Sequence, residues 1–129
     1  MDYLKELAQQ LYERRHEALV VPLRDCSGPD FVPVEQACHA NVDDWCLRHP
    51  TDRPVRGWLL HESWLSQGFC RFAAHSVVLD ENGELFDPTP TRAARRYPFL
   101  RHHLTDEEFV LMVSARQLVH LDHHFKLNG

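Results

Sequence analysis

Hydrophobic positions recur at helical spacing in two segments of the N-terminal half. Residues 2–18 place leucines and Tyr12 on one stripe with charged and amide side chains opposite, which predicts an amphipathic helix. Residues 34–49 predict a second helix, with Pro33 in its N-terminal turn and Glu35 at the positive end of the helix dipole. The side chains expected to face inward from this helix are Cys38, Val42, Trp45 and Cys46, and those expected to point away are Asp43, Asp44 and Arg48.

Alternating and continuous apolar runs predict strands in the rest of the chain. Residues 55–60 favour one strand, residues 72–88 a hairpin and residues 117–125 a last strand. A capping box that begins at Thr105 opens a third helix between the hairpin and that last strand. We therefore predict one α+β domain over residues 1–129, with helices packed on a small antiparallel sheet.

The turn of the hairpin has two possible registers. A two-residue type I′ loop, for which Asn-Gly is a strong signal, would put His75 and Asp87 on opposite faces of the hairpin. A type I turn opened by Asp80, with Gly83 in the left-handed bulge position, would put them on the same face. They would then be diagonal neighbours about 7–8 Å apart, within reach of a His–Asp hydrogen bond. We favour the second register, because Asp and Gly occupy the first and fourth turn positions that it prefers.

Composition and charge narrow the class of protein. Of 129 residues, 43% are hydrophobic and 26% charged, which is ordinary for a globular domain, and the net charge of −5 gives no support for binding nucleic-acid phosphates. The first residues are charged, and no apolar run approaches the ~18–20 residues of a membrane span. The four cysteines form no CxxC pair. We therefore expect reduced thiols in a cytoplasmic protein, with signal-independent export as an effector as the open alternative.

Three residues of the predicted elements suit nucleophilic catalysis. Cys38 lies early in the second helix, where the positive end of the dipole favours the thiolate, which is the attacking form of a cysteine. His75 would take the thiol proton, and Asp87 would hold that imidazole in the correct tautomer. Backbone N–H groups around Cys38, with a side-chain amide from Gln36, would bind the oxyanion of the reaction intermediate.

Two neighbours of Cys38 are further candidates for substrate or oxyanion contacts. His39 follows the cysteine directly, and Asn41 lies one turn beyond it, where packing is an equally good role. The other thiols lack comparable companions and are expected to be structural; they are Cys26, Cys46 and Cys70.

The order Cys38, His75, Asp87 resembles that of papain-like and transglutaminase-like cysteine hydrolases. The segments similar to the His strand and the Asp-Pro strand of the transglutaminase-like branch are His75-Ser-Val-Val, Asn82-Gly83 and Phe86-Asp87-Pro88. The resemblance implies a papain-like or transglutaminase-like core, with Cys38 as nucleophile, His75 as base and Asp87 as the residue that orients the base. The chain departs from that branch because no Gly- or Trp-rich segment precedes the cysteine, and His39 stands beside it.

These features predict a thiol-dependent hydrolase or transferase of amide acyl groups, such as a peptidase, an amidase or a glutamine deamidase. The expected substrate is a protein or peptide with an amide bond or amide side chain, and the reaction needs no cofactor. The alternative is a non-catalytic protein-binding domain on the same fold, in which Cys38 is an ordinary buried thiol. A metal-binding protein that uses the C-terminal histidines is a third reading, but a solvated histidine-rich edge is favoured, because adjacent His on a strand point apart.

Overall fold

The computed structural model describes residues 3–92 and 96–126 of the chain. Its α-helices are α1 (Tyr3–Glu13), α2 (Cys38–Arg48) and α3 (Asp106–Arg116), and short 3₁₀ helices span Arg15–Glu17 and Leu65–Gln67. Its strands are β1 (Arg53–His61), β2 (Phe69–Leu79), β3 (Leu85–Phe86), β4 (Phe99–Arg101) and β5 (His120–His124). The strands pair antiparallel in one sheet, which confirms the predicted α+β class.

The outer edge of β2 is shared by two different strands. The sheet order is β3-β2-β1-β4, and β5 pairs with β2 beside β3. On this edge β5 pairs with Phe69 through Ala73 and β3 pairs with Val78 and Leu79, whereas β1 covers the whole opposite edge. Within the described part of the chain, no strand pairs with residues 74–77 on the outer edge.

Side chains alternate across the sheet, so each face has its own core. One face carries the largest cluster, in which Trp58, Leu60 and Phe72 pack against Leu7 and Leu11 of α1. The other face carries a smaller cluster made of Val21, Val55, Val77 and Phe99. A third cluster lies beneath α2 and contains Val42, Val78 and Phe86. Burying these side chains supplies the hydrophobic stabilisation that holds the helices on the sheet.

The N-terminal half of the chain has shorter helices than predicted. Helix α1 ends at Glu13 and continues as a 3₁₀ turn, and α2 begins at Cys38 instead of residue 34. Gln36 has a left-handed backbone with φ of 67°, which no α-helix accommodates, so Pro33 and Glu35 lie outside the helix. The predicted inward face of α2 is confirmed, because Cys38 and Val42 are buried.

Strand β4 was not predicted, because it is only three residues long and is paired with β1. Gly57 of β1 allows this pairing: a Cβ atom there would lie 2.3 Å from the carbonyl oxygen of Leu100 in β4. Only a residue without a side chain permits so close an approach between the two backbones.

The turn between β2 and β3 adopts the favoured bulged register. The Gly83 N–H donates to the Asp80 carbonyl at 3.0 Å, and the Asp80 N–H donates to the Glu84 carbonyl at 2.8 Å. Gly83 supplies the left-handed position, with φ of 83°. The resulting strand register puts His75 and Asp87 on the same face of the hairpin, as predicted.

Candidate active site

Cys38 is the first residue of α2 and is 8% exposed. Asn41, one turn further on, fixes the segment that leads into this helix: its amide donates to the Val34 carbonyl at 2.8 Å and accepts the Val34 N–H at 3.0 Å. The same amide nitrogen donates to Thr89 Oγ1 at 3.1 Å. The chain before Cys38 is thus connected to the chain that follows Asp87.

His75 of β2 and Asp87, which directly follows β3, form a buried hydrogen-bonded pair. His75 Nε2 lies 2.7 Å from Asp87 Oδ2, and their side chains are 12% and 5% exposed. Asp87 Oδ1 accepts the Thr89 N–H at 3.0 Å, and the backbone N–H of Asp87 donates to the Pro22 carbonyl at 2.9 Å. Because Nε2 is committed to the carboxylate, Nδ1 is the ring nitrogen that remains for the Cys38 thiol.

The electrostatics at Cys38 favour the thiolate. Burial raises the pKa of this thiol, but the neighbouring imidazoles of His39 and His75 outweigh burial and lower the pKa to about 6. Burial lowers the pKa of His75, but hydrogen bonds to Asp87 and Cys38 raise it to about 9. Between these values the pair is a thiolate and an imidazolium, which is the activated state of a cysteine nucleophile.

A second imidazole, that of His39, lines a cavity together with Cys38 and also lowers the pKa of the thiol. His39 Nδ1 lies 2.6 Å from Ser76 Oγ, and Arg56 Nη1 donates to the same hydroxyl at 2.8 Å. Arg56 Nη2 donates in turn to the Asp43 carboxylate. Arg56 and Ser76 face each other across β1 and β2, on the face that α2 covers, and Arg56 is 6% exposed. We call Asp43, Arg56, Ser76 and His39 the α2-side chain of hydrogen bonds.

Two cavities lie beside these residues and share Gln36 as a lining residue. The first, of about 300 Å³, is here called the triad cavity because His75 and Asp87 line it; its other walls include Leu59, His61, Thr89, Arg96 and Tyr97. The second, of about 370 Å³, is here called the cysteine cavity because Cys38 and His39 line it; its other walls are Ala74, Val113, Gln117, Leu118 and Val119.

The structure brings together five of the six residues singled out in the sequence. His75 and His39 both lower the pKa of the Cys38 thiol, Asp87 holds His75, and Gln36 lines both cavities. Asn41 is different: it is buried, and its side chain bonds to Val34 and Thr89. Packing and loop attachment, the alternative role considered for Asn41, fit this geometry better than substrate contact does.

Sequence reasoning missed the residues behind His39. Ser76 lies inside an apolar strand. Asp43 is exposed, as expected, but its carboxylate also bonds the buried Arg56, which the sequence did not indicate. One signal was available: Arg56 is a charged residue in the middle of the apolar strand β1, where a buried cation requires polar partners.

In the part of the chain that the structure describes, the histidine-rich segments do not bring their side chains together as metal ligands. Among residues 3–92 and 96–126, no group of three or more His, Cys, Asp and Glu side chains is placed to hold a metal ion. His123 instead stacks on Tyr12, with 4.6 Å between ring centroids, and His102 Nδ1 accepts the indole N–H of Trp58 at 3.2 Å. No helix among the described residues has the length and hydrophobicity needed to cross a bilayer.

Comparison with known proteins gives no match: no protein-family model, no curated sequence and no solved structure is similar to this chain. The resemblance to papain-like and transglutaminase-like hydrolases stays a prediction, which depends on the residues and the geometry described above.

Proposed function

We propose that this protein is a thiol-dependent acyl hydrolase or acyltransferase that acts on amides through a thioester at Cys38. One observation carries the proposal. His75 is held by Asp87 through Nε2 at 2.7 Å, and the same ring lowers the pKa of a buried thiol at a helix start. This arrangement is the nucleophile, base and orienting group of a catalytic triad.

The first half of the reaction follows from these positions. The Cys38 thiolate attacks the amide carbonyl carbon, forming a C–S bond while the carbonyl electrons move to oxygen. First-turn N–H groups of α2 have no intrahelical partner, and they can bind this oxyanion together with the Gln36 amide. The oxyanion then collapses, the C–N bond breaks, and the His75 imidazolium gives its proton to the leaving amine.

The second half regenerates the thiolate. Neutral His75 takes a proton from water, the resulting hydroxide adds to the thioester carbonyl, and the C–S bond breaks to release a carboxylic acid. Asp87 remains ionised throughout and stabilises the imidazolium. When an amine replaces water, the same steps transfer the acyl group instead. The substrate class is a protein or peptide with an amide bond or amide side chain, and the chemistry requires no cofactor.

The chain order and placement of the three residues support two finer proposals. We propose a papain-like or transglutaminase-like core, because a cysteine at a helix start is followed along the chain by a histidine on β2 and an aspartate directly after β3. A nucleophilic thiol must also remain reduced to act. We therefore propose a reducing compartment such as the cytoplasm as its place of action.

Acyl transfer to Cys38 tests the proposal without knowledge of the natural substrate. We expect 4-nitrophenyl acetate to release a burst of one equivalent of nitrophenolate and to leave an acetyl group on Cys38, detected by peptide mass spectrometry. Cys38→Ala should abolish the burst, and His75→Ala should slow it by about 10²–10⁴-fold, the usual contribution of general base catalysis. Asp87→Asn, which preserves shape but not charge, should also slow it.

The non-catalytic binding domain predicts a different outcome. In that case Cys38 would acquire acetyl groups no faster than Cys46 and Cys70, and His75→Ala would leave its rate unchanged. That result would refute the enzymatic proposal.

A further inference from the structure

Two imidazoles, those of His75 and His39, lower the pKa of the Cys38 thiol, and the proposed triad uses only one of them. His75 and Asp87 line the triad cavity, whereas His39 lines the cysteine cavity together with the thiol. Behind His39, the α2-side chain of hydrogen bonds continues through Ser76 and Arg56 to Asp43, on the opposite face of the sheet from His75.

The hydrogen bonds at Ser76 determine which nitrogen of His39 carries the proton. Arg56 has no acceptor atom, so its guanidinium donates to Ser76 Oγ. Ser76 is fully buried, and its hydroxyl proton needs an acceptor; His39 Nδ1, 2.6 Å away, provides one. A neutral His39 that accepts at Nδ1 carries its proton on Nε2. The ring therefore presents an N–H donor at its far side.

The groups around His39 hold its imidazole ring in one orientation. Phe109 of α3 meets the imidazole edge to face, with 5.8 Å between centroids. The charged or titratable groups of the neighbouring elements are His75 of β2, Arg56 of β1, and Asp43 and Cys38 of α2. Packing against Phe109 and the bond to Ser76 hold the ring in one orientation, which is what a positioning residue requires.

We propose that His39 is a second imidazole of the active site, whose Nε2–H donates to the Cys38 sulfur in the tautomer set by Ser76, Arg56 and Asp43. This inference rests on the proposed thioester mechanism and assigns His39 to a definite step. When the thioester is hydrolysed, His75 is occupied with the proton of water. At that moment the sulfur leaves as a thiolate, and the His39 N–H stabilises it without transferring a proton.

The test measures the thiolate directly and needs no substrate. The rate of Cys38 with 2,2′-dipyridyl disulfide is followed against pH, with the site of reaction confirmed by mass spectrometry. For His39→Ala we expect the midpoint of the profile to rise by about one pH unit. Below that midpoint, the fraction of Cys38 present as thiolate should be about tenfold smaller than in the unmodified protein. Ser76→Ala should move the midpoint in the same direction. His39→Gln, whose amide can place an N–H near the position of Nε2, should restore most of the loss.

Controls separate this inference from the proposed function. Leu47→Ala, an exposed position on the same helix, should leave the midpoint unchanged. If His75→Ala raises the midpoint and His39→Ala does not, the second imidazole is refuted while the triad stands. If His39→Ala raises it and His75→Ala does not, the triad fails instead. ¹⁵N NMR of the unmodified protein gives a readout independent of any variant: a neutral His39 with its proton on Nδ1 would overturn the inference.

Discussion

Cys38 and Cys46 lie on the inward face of the same helix but have opposite electrostatic environments. Burial raises the pKa of both thiols. At Cys46 the charges of Asp52 and Asp43 add to burial and exceed the opposing effect of Arg56, so its pKa rises to about 11. At Cys38 two imidazoles reverse the effect, and the pKa falls to about 6.

A position on the inward face of a helix is therefore not enough to make a cysteine nucleophilic. Both cysteines follow the same apolar pattern, and the imidazoles of His75 on β2 and His39 on α2 distinguish Cys38. Because Cys46 is half-buried and does not line the cavity at Cys38, it serves as an internal control for every measurement on the proposed site.

The largest expected effect is the difference in reactivity between these two thiols. At pH 7 the fraction of thiolate should differ by about 10⁴, and the weaker nucleophilicity of a low-pKa thiolate should reduce the advantage of Cys38 to about a hundredfold. Competitive labelling with 2,2′-dipyridyl disulfide, read by peptide mass spectrometry, measures the ratio. The Cys38 rate should rise as pH passes about 6, because its folded pKa is lowered, whereas Cys46 should respond only at alkaline pH.

Equal labelling of Cys38 and Cys46 at pH 7 would show that the fold does not activate the Cys38 thiol. A denatured sample provides the reference, because unfolding removes both environments and should bring the two rates together.

The next largest effect concerns the stability of the fold at acid pH, which limits the pH range over which Cys38 and Cys46 can be compared. Burial, followed by the charges of His103 and Arg14, lowers the pKa of His102 to about 4. Since the folded pKa lies below the unfolded value, the stabilisation is complete above about pH 6.5 and is lost as pH falls towards 4. We expect the free energy of unfolding to fall by about 2 kcal/mol between pH 7 and pH 5, measured by urea denaturation.

His102→Gln should flatten this acid slope, because glutamine can accept the Trp58 indole N–H without gaining a charge. The matched control is His16→Gln at an exposed position, which should retain the slope. A slope that survives in His102→Gln would assign the acid sensitivity to other groups.

The smallest expected effect is at the start of α2. Gln36 has φ of 67°, and a non-glycine residue in this region costs about 1–3 kcal/mol. Gln36→Gly should therefore raise the free energy of unfolding by up to about 1 kcal/mol, after allowance for the greater flexibility of glycine in the unfolded chain. The same variant should slow acetylation of Cys38, because it loses the proposed oxyanion donor.

Gln36→Asn separates the two roles of this position, since asparagine tolerates the left-handed backbone and keeps an amide. It should be intermediate in both stability and acetylation rate. A Gln36→Gly variant that is less stable and equally reactive would show that the left-handed backbone is not strained and that the amide has no catalytic role.

Much of the fold follows from local sequence signals. Strand β1, the hairpin and helix α3 were predicted because hydrophobic periodicity and turn chemistry act over a few residues. Thr105 caps α3 by accepting the Glu108 N–H at 3.2 Å, as its sequence pattern indicated. The Asp80 and Gly83 turn positions were enough to choose the register that joins His75 to Asp87.

Other features depend on contacts between residues far apart in the chain. The start of α2, the pairing of β4, the role of Asn41 and the α2-side chain of hydrogen bonds all belong to this group. The α+β class and the candidates Cys38, His75 and Asp87 could be predicted from residue patterns alone. The bond of His39 to Ser76 and the lowered pKa of the Cys38 thiol could not, because they require α2 and β2 to be packed together before their side chains can interact.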